Sequence, residues 1–284
     1  MKRVEDSEEF FELPYGERRG VIVVPDALLT PPARREPQTP PHEATRRQRA
    51  LGIVRDRLPV RRAEPANPTL QVLAELREDG VLIRPVPQSQ ARALDLPVGH
   101  PLPDVVYVGN PANRRYYPAA DFHRKVFEHK FAEAVRLVMA LGATRMTVQW
   151  ERGWRKELSA DLDSPLHGLA RAVGSARATA DRSSSLLFEA NLLGGEPSLP
   201  TDLVWYDHEP TWRSVADGRL KHGLSDFSLT VRSTEDYGIN GDFAAKVRRK
   251  KLLTLGGEFT AHTETSWRID GVFAETPPPR SRRW

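Results

Sequence analysis

The densest group of chemically capable residues in this chain is Asp202-Leu-Val-Trp-Tyr-Asp207-His208-Glu209-Pro-Thr-Trp212. Asp207, His208 and Glu209 offer the oxygen and nitrogen donors that hold a divalent cation, and as catalytic residues they would make a metal-dependent hydrolase or nuclease. Their spacing works against this. On a strand, adjacent side chains point to opposite faces, so only Asp207 and Glu209 could share an ion without a turn. The competing reading is a turn before Pro210 with Trp205 and Trp212 anchored in the core. The sequence specifies neither a metal nor a cofactor.

Eight histidines are present, none with the two-turn spacing of a zinc site. His123 and His129 lie six apart on one expected helix and so on different faces. His208 and His222 are separated by an expected strand. Each histidine reads as a surface or core-satisfied residue. Ser183-Ser184-Ser185 lacks the Gly-x-Ser-x-Gly setting of a hydrolase nucleophile. Gly194-Gly195 and Gly256-Gly257 lack a Walker lysine or a Rossmann pattern and read as turn or bulge glycines.

Two basic clusters are candidates for binding anions. One is an arm carrying Arg34, Arg35, Arg46, Arg47, Arg49, Arg55, Arg57, Arg61 and Arg62; the other is Lys246, Arg248, Arg249, Lys250 and Lys251. Either could neutralise phosphates on nucleic acid or on an anionic lipid surface. No aromatic residues are interleaved in them to stack on bases, which favours a solvated arm and a solvated helix face.

The elements that must carry these groups divide at proline. Seventeen of the 24 prolines lie at or before Pro118, six of them between Pro25 and Pro41. That spacing excludes helix and central strand there. The sequence therefore predicts a Pro/Arg-rich, partly disordered N-terminal arm (1–69), an α+β body (70–276) and a basic tail (277–284). Within the arm, Val21-Ile-Val-Val24 is a possible strand and 43–57 a possible short helix. In the body, Leu70–Leu76 has helical spacing with Gly80 as a stop. Residues 81–83 and 104–109 read as strands.

The clearest element is a long amphipathic helix from about Pro118 to Leu141, closed by Gly142. Phe127, Phe131, Ala134, Val135, Val138 and Leu141 make its apolar stripe. A strand follows, with Met146, Val148 and Trp150 on one face. Alternation then predicts long strands at 175–192 and 258–273 and a third at 226–232, with a short basic helix at 242–253. The expected fold is this helix packed on a twisted, largely antiparallel sheet. Trp150, Trp205, Trp212, Trp267, Phe131, Phe188 and Phe227 form the expected core.

Composition bounds the function without naming it. Cysteine is absent, which removes disulfides, thiolate metal sites and a cysteine nucleophile. Of 42 basic residues only eight are lysine, a ratio that points to a GC-rich bacterial genome. The net charge is +4 and the pI about 9.4. No stretch reaches the ~20 apolar residues of a membrane-spanning helix, and no secretory signal opens the chain, so a cytoplasmic address is expected. These signals point to a non-enzymatic binding or self-assembling protein with basic patches for an anionic partner, and a homo-oligomer formed through the sheet. Its sharper form is a membrane-damaging, pore-forming-like effector that inserts its long strands. Arg182 on the more apolar face opposes that form, because a lipid-facing arginine at mid-bilayer costs ~2–4 kcal/mol. The alternatives are the hydrolase above and a nucleic-acid binder working through the arm.

Overall fold

A computed structural model describes residues 9–29, 67–154, 177–178 and 185–275. The fold is α+β and contains two sheets rather than one. A four-stranded mixed sheet runs in the order β2-β1-β3-β4, built from β1 (Gly20–Val24), β2 (Arg84–Pro87), β3 (Val106–Gly109) and β4 (Tyr116–Pro118). A five-stranded sheet runs in the order β6-β7-β5-β9-β8. Its strands are β5 (Ala143–Arg152), β6 (Arg177–Ala178), β7 (Leu186–Asn191), β8 (Asp226–Ser233) and β9 (Thr265–Phe273). Every pairing in the second sheet is antiparallel. In the first, β1 is parallel to β2 and antiparallel to β3.

The folded unit begins well before residue 70. A short helix α1 (Glu9–Glu12) and a tight 3-10 turn (Tyr15–Arg18) lead into β1, an interior strand of its sheet. Val21–Val24 is an unbroken β-branched run because both of its faces are covered. Ile22 and Val24 join the main core, while Val21 and Val23 join a second cluster with Phe10, Val86, Tyr107 and Tyr116. Most of the expected arm, including the helix at 43–57, lies outside the described residues, as does the tail.

Helix α2 (Pro68–Glu78) follows, capped by the Asn67 side chain and with proline in its first turn. The strand expected at 81–83 is displaced to 84–87. Pro85 and Pro87 are tolerated there because β2 is an edge strand.

Helix α3 (Phe122–Ala140) joins the two sheets. It starts later than the sequence suggests, because Pro118 is taken by β4. Its stripe is buried, but so are His123, Glu128 and Glu133, so the helix has polar groups inside as well as out. Phe127 and Phe131 meet Trp267 of β9 edge-on at 5.2 and 5.0 Å. Trp205, Trp212, Trp267, Phe131, Phe188 and Phe227 are buried as expected; Trp150 is only partly so.

Two expected long strands are corrected. Arg177 pairs with Glu189 and Ala178 with Phe188, so 177–178 and 186–191 are two neighbouring antiparallel strands rather than parts of one. The strand at 258–273 begins only at Thr265, since 258–264 alternate in sequence but pair with no neighbouring strand. A helix was also missed: α4 (Pro210–His222) stands where a strand was expected between His208 and His222. Helix α5 (Gly241–Arg249), capped by Asn240, matches the short basic helix. No helix among the described residues is long and apolar enough to cross a membrane.

Within β9, Gly271 faces Phe227 of β8. A Cβ there would press on the Arg145 carbonyl and lie 2.6 Å from the Phe227 ring. Gly271→Ala is expected to lower the urea-unfolding free energy by about 1–3 kcal/mol. Gly195→Ala, where a Cβ meets nothing within 4 Å, should change it by less than about 0.5 kcal/mol.

Candidate functional site

The loop carrying Asp207, His208 and Glu209 is fixed from below by α3. Glu133, 4% exposed, accepts backbone N–H bonds from Val204 at 2.8 Å, Trp205 at 2.6 Å and Tyr206 at 3.1 Å. The Trp205 indole N–H donates to His129 Nδ1 at 2.9 Å. Residues 206–208 then form a 3-10 turn, and Glu209 opens α4. Asp207 and His208 are exposed on the turn, whereas Glu209 is ion-paired with Lys130. Lys130 also donates to the Arg232 carbonyl at 2.8 Å and lies 5.2 Å from the Trp205 ring centre. The three candidates therefore do not converge on one ion. Among the described residues, no group of three His, Asp or Glu side chains is close enough to hold a metal.

The basic cluster of α5 is divided in use. Lys246 pairs with Asp242 at 2.6 Å, and Lys250 reaches Glu75 of α2 at 2.7 Å. The Lys250 ammonium holds the Glu75 carboxyl below the usual carboxylate range. Arg248, Arg249 and Lys251 are exposed, and none of them forms an ion pair with a described residue. Their position in or just beyond the last turn suits the negative end of the helix dipole. Arg46, Arg47 and Arg49 lie outside the described residues.

A different cluster is assembled by the four-stranded sheet. Pairing of β1 with β3 and of β3 with β4 brings the Tyr15–Arg19 turn against the Asn110–Arg115 loop. The Tyr15 hydroxyl donates to the Asn110 carbonyl at 3.0 Å, and that of Tyr116 to the Arg18 carbonyl at 3.0 Å. The Arg18 guanidinium sits 5.8 Å from the ring centres of Phe10, Phe11 and Tyr15. Arg114 lies 5.9 Å from the Tyr15 ring. Arg19 donates to the carbonyls of Gly109 and Tyr237. None of these three arginines is paired with a carboxylate of a described residue.

Two donors in this cluster are left over. Arg18 Nε and Asn110 Nδ2 are buried without a hydrogen-bond partner among the described residues, and Asn110 is 0% exposed. Burial, then the neighbouring Tyr116, pushes the Tyr15 phenol well above its ordinary range despite the arginines around it. It stays a neutral donor, leaving the local charge positive. The sequence signal was two Arg-Arg doublets, each beside tyrosine: Tyr15-Gly-Glu-Arg18-Arg19 and Asn113-Arg114-Arg115-Tyr116. Only strand pairing unites them.

Neither a family model, nor a curated protein, nor a solved structure matches the chain.

Glu133→Ala leaves three backbone donors without their acceptor, and should cost about 3 kcal/mol or more in chemical denaturation. Glu133→Gln keeps an acceptor oxygen and should cost less. Burial holds the His129 ring below the usual imidazole value. Above about pH 6.5 it is neutral in both the folded and unfolded chain. As pH falls below that, the unfolded chain takes up a proton that the folded one refuses, so stability declines. Urea midpoints should therefore drop between pH 8 and 5.5. His129→Gln should remove part of the drop, and the rest belongs to His123, which burial shifts in the same direction.

Proposed function

We propose that the chain is a binding protein for an anionic, phosphate-bearing partner, and that Arg18, Arg19 and Arg114 around Tyr15 receive the anion. The observation that carries this is the pair of buried, unused donors, Arg18 Nε and Asn110 Nδ2, on residues that both touch Tyr15. A buried donor without an acceptor costs about 1–3 kcal/mol. A phosphate oxygen beside them would remove that cost and neutralise arginines that have no carboxylate partner. The aromatic rings under Arg18 restrict its guanidinium and leave its planar fork for bidentate recognition. Arg248, Arg249 and Lys251 supply a second, fully solvated patch that would add long-range attraction.

The mode of contact is a surface one. Phe188 and Ile269, which a membrane-inserting strand would turn toward lipid, are completely buried in the main core.

Fluorescence anisotropy with a labelled single-stranded oligonucleotide, and flotation with anionic vesicles, test the reading on the full chain at several salt concentrations. Arg18→Ala/Arg114→Ala should weaken binding about tenfold or more and lower the salt slope by about 1–2. Arg248→Ala/Arg249→Ala/Lys251→Ala should have the smaller effect. Equal binding by the first variant and the parent would remove the site. Absence of binding to either probe would remove the function.

A further inference from the structure

Among the described residues, two imidazoles remote from each other in sequence also carry unpartnered buried nitrogens, His123 at the start of α3 and His262 in the chain before β9. His123 is 1% exposed, and its Nε2 lies 2.6 Å from the Ile239 carbonyl. A carbonyl only accepts, so Nε2 carries the proton and the neutral ring presents its lone pair at Nδ1. That Nδ1 is buried with no partner among the described residues. The partly buried ring of His262 stands 5.1 Å away, centre to centre, at 65°, and its Nε2 is likewise buried and unpartnered. Trp154 lies 6.5 Å from each of the two rings. Asp236 is close enough for both imidazoles to lower its acidity range, although the Gly238 N–H is the larger cause.

Three features point the same way. First, a histidine that binds a metal through one nitrogen typically donates the other to a carbonyl, which fixes its tautomer. The His123–Ile239 bond does this. Second, two imidazoles on one tetrahedral ion at about 2.1 Å have ring centres about 5 Å apart, the separation observed. Third, His123 Nδ1 and His262 Nε2 are both buried without a hydrogen-bond partner among the described residues.

We propose that His123 Nδ1 and His262 Nε2 ligate a divalent transition-metal ion of the zinc type. Imidazole donors select such an ion over magnesium or calcium. Two protein ligands leave the remaining positions open to water or to a bound molecule, and Asp236 adds favourable charge nearby. The site does not depend on the anion-binding reading, and it is distinct from Asp207, His208 and Glu209.

Metal-stripped full-length protein titrated with zinc by calorimetry, and with cobalt by visible absorption, tests it. The expected result is one equivalent bound per chain, with a cobalt spectrum of nitrogen-ligated tetrahedral type and a rise in melting temperature on loading. His123→Gln keeps a donor for the Ile239 carbonyl but removes the ligand, and His262→Ala removes the less buried partner. Each should bind at least about tenfold more weakly, with circular dichroism confirming the fold. Three outcomes overturn the proposal: no saturable binding by the parent, undiminished binding in both folded variants, or loss in His208→Ala in their place.

Discussion

A carboxylate taken out of water must be met by donors, and Glu133 meets this condition with three consecutive backbone N–H groups. The arrangement fixes the 203–206 segment on α3, and with it the entry to α4. Arg219 does the converse at the other end. It is buried and donates to the carbonyls of Leu141, Leu224 and Ala274, tying α4 to the end of α3 and to the chain leaving β9. Truncating either side chain would leave several backbone groups without their partner in the interior. α3 therefore acts as a polar as well as an apolar spine.

That spine explains why the two unsatisfied sites lie where they do. Phe122 stacks edge-on with Tyr237, whose carbonyl also takes a bond from Arg19. His123, the next residue, faces Ile239 and His262. The 236–240 segment thus touches both the arginine cluster and the imidazole pair. A protein interior ordinarily satisfies its buried polar atoms; among the described residues Arg18, Asn110, His123 and His262 carry exceptions, as do Gln90 and Trp212.

The parts of the fold that were legible are those in which one element buries one face. β8 and α5 carry clear periods of 2 and 3.6, whereas α3 buries His123, Glu128 and Glu133 beside its apolar stripe. The errors arise where pattern and pairing part company. Residues 258–264 alternate like a strand, yet a strand is defined by its neighbour. Arg177–Ala178 and Leu186–Asn191 fall within one alternating run of sequence, yet they pair with each other as separate strands. α4 was hidden because Asp207-His208-Glu209-Pro210 drew attention as a turn, and its helical signal is only Trp212, Val215, Ala216 and Arg219. The candidate site residues divide along a related line. Local density of donors singled out Asp207, His208 and Glu209, whereas Arg18 with Arg114, and His123 with His262, become neighbours only through tertiary pairing. His129 and His123, six apart, do face different surroundings as helix geometry requires: one accepts from Trp205, the other donates to Ile239.

The placement of β1 has a consequence for synthesis. Gly20–Val24 is made before its partners Arg84–Pro87 and Val106–Gly109. A nascent chain must carry Val21-Ile22-Val23-Val24, an apolar β-branched run, with both edges open until β2 has been made and one edge open until β3 follows. Non-local closure of this kind is slow relative to helix formation and leaves the strand open to mispairing in the interval. The order of synthesis thus exposes β1 longest, although in the finished fold Val21–Val24 are buried.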